Sequence, residues 1–109
     1  MEDIADIAGK ALDVLDARGW TQGVCSDEQG RVCMGTALAL AAGLPLDGKL
    51  TPAQLTTWVA VTDAVVDAIG VVMPGTPFAT YNAVPKLNDF SDEKDVREIL
   101  EVMKHGPII

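Results

Sequence analysis

The run Met34-Gly35-Thr36-Ala37-Leu38-Ala39-Leu40-Ala41-Ala42 carries no charged residue and stops at Gly43. Its composition predicts a short helix, and a helix without a polar face has to be buried. Other helices must therefore cover it, so it is expected at the centre of the molecule. Its alanines and Gly35 would let neighbouring backbones approach closely. With 109 residues the chain has room for one domain, spanning 1–109.

The covering helices announce themselves by spacing and punctuation. Over 3–18, Ile4, Ile7, Ala8, Ala11, Leu12 and Leu15 recur every three or four residues, which places them on one face. Glu2, Asp3 and Asp6 suit the positive end of that helix, and Arg18-Gly19 its close. Thr51-Pro52 with Gln54 reads as a capping box opening a helix that ends at Gly70. Leu55, Trp58, Val59, Thr62, Val65, Val66 and Ile69 form its expected inner face. A last helix is expected from an N-cap at Ser91, with Val96, Ile99, Leu100 and Met103 inward and Lys104-His105-Gly106-Pro107 as its stop. Between the first two helices, Asp27-Glu28-Gln29-Gly30 predicts a hairpin turn over 20–33. With Glu28-Gln29-Gly30 as the loop, Asp27 faces Arg31, Ser26 faces Val32 and Cys25 faces Cys33. Residues 71–90 look irregular and read as a functional loop. The expected architecture is mainly α, a four-helix single domain with a short β-hairpin between helices 1 and 2.

Two parts of the chain together resemble a known family. They are Gly19-Trp20-Thr21-Gln22-Gly23 and Gly30-Arg31-Val32-Cys33-Met34-Gly35-Thr36-Ala37-Leu38, with Asn88-Asp89 following ahead of the last helix. The pattern is similar to that of an uncharacterised family of small proteins from actinobacteria and their phages. Its members show an amphipathic helix, a Gly-Trp-x-Gln-Gly turn, an Arg-x-Cys leading into a Gly-Ala-Leu-type helix, and a later Trp-Asn-Asp before a final helix. Here Leu87 stands where the family usually has Trp, and Thr36 lies between Gly35 and Ala37. The resemblance implies an intracellular phage or actinobacterial origin and no assigned activity.

Charge and motif content narrow the function classes. Sixteen acidic against eight basic residues give a net charge of −8, which disfavours direct nucleic-acid binding. The acidic start does not resemble a secretory signal. Leu50–Pro85, interrupted by Asp63, Asp67, Gly70 and prolines, reads as no membrane span. The cytoplasm of the host cell is the expected location, with reduced thiols. Two Cys and one His, His105, fall short of a zinc site, so no metal and no cofactor are expected. No phosphate loop, His-Glu-x-x-His or Gly-x-Ser-x-Gly occurs, and Cys25 and Cys33 read as small buried apolar groups. Asn88-Asp89 reads first as a turn held by its own side chains. An acid-rich first and last helix reads as a solvated face, or as a surface for a basic partner.

The chain is thus expected to be a non-enzymatic interaction or regulatory protein that binds a host protein. The alternative is a small-ligand binder or small enzyme, with a site between the 20–33 hairpin and the 71–90 loop. Trp20, Arg31, Cys33, Tyr81, Asn88 and Asp89 would form that site. A homodimer through Ile108-Ile109 is a third possibility.

Overall fold

The computed structural model describes residues 3–75 and 83–105. Among these residues five helices follow one another: α1 (Ile4–Arg18), α2 (Met34–Ala42), α3 (Pro52–Val72), α4 (Ala83–Phe90) and α5 (Glu93–His105). There are no strands among the described residues, so the expected four helices with a β-hairpin do not form.

The segment that read as a hairpin holds only isolated bridges, Ser26 with Val32 antiparallel and Trp20 with Val32 parallel. The three-residue loop and its register are present: the Asp27 N–H donates to Arg31 O, and the Cys33 N–H donates to Cys25 O, both at 3.0 Å. The ladder stops because Val32 is shared. Its N–H donates to Gly19 O, while its carbonyl accepts from the Thr21 N–H. One arm is thereby tied to the end of α1, and only a bent loop remains.

α1 is capped by Asp3, whose side chain accepts from the Ala5 N–H, and its end is closed by a bond from the Gly19 N–H to Leu15 O. It lies between α2 and α5, and those two interfaces are the most extensive among the described helices. The central position expected for α2 therefore belongs to α1. α2 packs on α1, α3 and α4 and buries Met34, Thr36, Ala37, Leu38 and Ala41, but Ala39, Leu40 and Ala42 stay partly exposed. Its apolar wall is open on one side.

α3 begins with the capping box of Thr51 and Gln54 and runs two residues past Gly70. Its inner face is Val61, Val65, Ala68 and Ile69. Leu55 and Val59, expected inside, are half exposed at 52% and 50%. At about 1.5 Å per residue, a helix of 21 residues spans about 31 Å, and its first turns overhang the core. By length and composition alone, α3 meets the requirements of a membrane span, with a mean hydropathy of 1.6. The carboxylates that seemed to exclude this, Asp63 and Asp67, stand on its exposed side.

α4 occupies part of the stretch that read as irregular. Ala83, Val84, Leu87 and Asn88 face inward. Pro85 sits in the first turn, where a missing N–H costs no helical bond. Leu87 is fully buried, so Leu fills the position where the resembling family carries Trp. A bond from the Ser91 N–H to Leu87 O closes the helix. The cap of α5 is Asp92 rather than Ser91: its Oδ1 accepts from the Asp95 N–H at 2.9 Å. Val96, Ile99, Leu100 and Met103 then pack inward as the spacing predicted.

Candidate functional site

Asn88 is one of two buried polar residues, 2% exposed, among the described residues. Its side-chain oxygen accepts from Trp20 Nε1 at 2.7 Å and from the Met34 N–H at 2.8 Å. Its Nδ2 donates to Thr21 O at 3.1 Å. The Met34 N–H is one of the donors that a helix start leaves without an internal partner, so Asn88 caps α2 from 54 residues away. Gln22 reaches the same place from the other side, its Nε2 donating to the carbonyls of Asn88, Asp89 and Ser91. The Gly23 N–H donates to Asp89 Oδ1 at 3.1 Å. These bonds clasp the 19–23 segment onto the C-terminal turn of α4.

Trp20, Asn88 and Asp89 are therefore brought together, as the alternative reading required, but by bonds to one another. Both acceptor sites of the Asn88 oxygen are filled, and its amide serves the backbone. The expectation that Asn88-Asp89 holds a local turn is overturned: the pair lies inside α4 and bonds to residues 54 to 68 positions away. Arg31 points elsewhere and forms an exposed pair with Asp27. Partial desolvation pushes the Asp27 carboxyl up, but hydrogen bonds from the Arg31 side chain and backbone, the Arg31 charge and the Gln29 N–H outweigh it. The carboxyl therefore sits below its ordinary value. Tyr81 and the Ile108-Ile109 tail lie outside the described residues.

Beside the clasp is a cleft of about 390 Å³. The loop Gly23-Val24-Cys25 and Cys33 form one side, Gly35, Thr36 and Ala39 of α2 the floor, and Leu44 to Leu46, Gly48 and Leu50 the far rim. Trp58 of α3 and Val84, Pro85, Asn88 and Asp89 of α4 complete it. The open side of α2 is what makes this space. Of the six expected site residues, Cys33, Asn88 and Asp89 line it, whereas Trp20 and Arg31 do not. The 44–50 loop and Trp58 had escaped notice. The signal was an apolar Leu44, Leu46 and Leu50 in a stretch otherwise typical of turns.

Both thiols line the cleft, and both are free. Cys25 is exposed and Cys33 half-buried, so the expectation that both are buried fails. Cys33 is the N-cap of α2, its Sγ accepting from the Thr36 N–H and contacting Thr36 Oγ1, both at 3.4 Å. Among the described residues, no His, Lys or Arg lines the cleft. His105 sits at the end of α5, paired with Glu101 at 3.2 Å. Among the described residues, no group of three or more His, Cys, Asp or Glu side chains is placed to hold a metal.

The motifs meeting in the clasp are those that carried the family resemblance, and a family model matches residues 1–105. The chain belongs to DUF6197, a family of unknown function. No curated protein and no solved structure matches the chain. Membership in DUF6197 thus brings no ligand or reaction with it, and the cleft has to be read from its own chemistry.

Proposed function

We propose that this protein is a non-enzymatic interaction module, encoded by an actinobacterium or one of its phages, that binds a host protein in the cytoplasm through the apolar cleft. One observation carries the proposal: the cleft opens between half-exposed apolar side chains. Val24 and Leu46 on its rim are 52% and 60% exposed. On α3, Leu55 lies one turn before Trp58, and Leu55 and Val59, four residues apart, are 52% and 50% exposed. Contiguous exposed apolar surface of this kind marks interaction sites. Catalysis is disfavoured by the lining itself. A nucleophilic thiol is commonly activated by an adjacent base, and among the described residues no His, Lys or Arg lines the cleft beside Cys25 and Cys33. The side-chain polar groups of Trp20 and Asn88 are engaged in the clasp.

The small-ligand reading keeps one supporting observation, since about 390 Å³ lies at the lower end of the range for small-molecule sites. Affinity purification from the native host, run in parallel with Ala39→Phe, separates the two. Ala39 is half-buried on the floor, so the added ring fills the cleft while α2 is retained. A host protein held by the wild type and lost by the variant supports the proposal. A protein held equally by both, or a small molecule released on denaturing only the wild type, refutes it.

A further inference from the structure

We infer that the cleft accepts a large apolar side chain flanked by a cation, so that the partner presents a basic-apolar segment. The inference rests on the cleft being the binding surface and adds the chemistry of what enters it. Among the described residues, Asp89 is the only charged side chain lining the space. One of its oxygens accepts from the Gly23 N–H and, at 3.4 Å, from Asn88 Nδ2. Its Oδ2 makes no hydrogen bond within the described residues and faces no basic neighbour across the cleft. The clasp thus fixes a carboxylate at one end of an otherwise apolar wall of Leu44, Leu50, Trp58 and Val84. An apolar side chain fills that wall, and a Lys or Arg beside it in the partner pairs with Asp89.

Charge decides against the other occupants. A partner segment bearing carboxylates would bring like charge to Asp89, and the whole chain, at −8, repels it from a distance. A second copy of this chain carries the same excess of acid. Anionic lipid or nucleic acid is disfavoured for the same reason. A basic partner is drawn in by the long-range field, which raises its association rate and makes it salt-dependent. Because Asp89 is exposed, the pair itself contributes little, at most about fivefold in affinity, equivalent to about 1 kcal/mol.

The test uses the full chain and three short capped peptides, Gly-Phe-Leu-Lys-Lys-Gly and its counterparts with Gln-Gln or Glu-Glu in place of Lys-Lys. Each is titrated at low salt while the Trp58 indole and Val84 methyl signals are followed by NMR. The Lys peptide is expected to bind about threefold to fivefold tighter than the Gln peptide, with the Glu peptide weakest. That order should collapse in about 0.5 M salt, where screening shortens the reach of charge to a few ångströms. It should also collapse in Asp89→Asn, whose amide oxygen can still accept from the Gly23 N–H. The salt series on the wild type keeps the test decisive if the variant folds poorly. A Glu peptide that moves the cleft signals at equal affinity overturns the charge inference and leaves the cleft standing. Peptides that move signals elsewhere, or none, overturn both.

Discussion

Replacing Asn88 with Leu tests whether the clasp holds the fold. Leu has the same branching and the same number of side-chain atoms beyond Cβ, so the change removes hydrogen bonds more than it opens space. It leaves the buried Met34 N–H, the partly buried Trp20 Nε1 and the Thr21 carbonyl without their partner. A buried donor stranded in this way costs about 1–3 kcal/mol. The Met34 N–H belongs at the upper end, and the two partly buried groups belong near the lower. The sum is about 3–5 kcal/mol, a large share of the roughly 5–15 kcal/mol that holds such a domain together. At this length each kcal/mol moves the melting temperature by about 4–5 °C, so a fall of about 12–25 °C is expected. Asn88→Asp sharpens the test. The new carboxylate can still accept from Trp20 and Met34, but it turns an oxygen toward Thr21 O and stands beside Asp89. Burial, the facing Thr21 O and the neighbouring Asp89 are expected to push its folded-state pKa above the unfolded value of about 3.9, against the pull of the two N–H donors. The penalty relative to wild type is complete above that raised pKa and fades as pH falls toward the unfolded value, where the neutral acid can donate to Thr21 O. Urea unfolding followed by far-UV circular dichroism between pH 4 and 7 reads both effects. A Leu variant within about 1 kcal/mol of wild type, or an Asp variant whose deficit does not change with pH, would refute the role assigned to Asn88.

Two further outcomes follow from local geometry. Cys33→Ala removes the cap of α2 and is expected to cost about 1 kcal/mol, whereas Cys33→Ser retains an acceptor and should cost less, measured by thermal unfolding; equal losses would show that the thiol caps nothing. The Asp27 carboxyl is expected by NMR titration to lose its proton below the ordinary Asp range and to move up in Arg31→Ala. Its contribution to stability is present above the unfolded pKa and lost as pH falls through the depressed one.

The helices with strong punctuation were legible in the sequence, because Asp3, Gly19, Gly43 and the Thr51–Gln54 pair act on their own immediate neighbours. α4 was not. Pro85 and Asn88-Asp89 carry loop signals, and the helical spacing of Ala83, Val84 and Leu87 spans little more than one turn. The hairpin failed for a related reason. Its turn chemistry is local and correct, but the ladder depended on where residues 19–21 would find partners, and α1 and α4 settled that. The site was half legible. Asn88, Asp89 and Trp20 stood out as chemistry-bearing residues, but their bonds cross more than 60 positions, and no spacing rule reaches that far. The rim of the cleft was invisible because Leu44, Leu46 and Leu50 show no period, and Trp58 looked like one more inward residue of a core helix.

The residues joined in the clasp and the apolar residues at the rim of the cleft are largely different sets. Trp20, Gln22, Gly23 and Asn88 are joined to one another and to the first turn of α2, so they specify how α4 meets the end of α1. Val24, Leu46, Leu50 and Trp58 stand apart from the clasp bonds and set the shape of the entrance. A frame fixed in one place and a rim free in another is the arrangement by which one fold hosts different binding specificities. Gly23, Asn88 and Asp89 take part in the clasp and also line the cleft; Asp89 is bonded to Gly23 through one oxygen and open to the cleft through the other. A change there should alter what the cleft accepts while the frame persists, whereas a change at Asn88 should remove the frame itself.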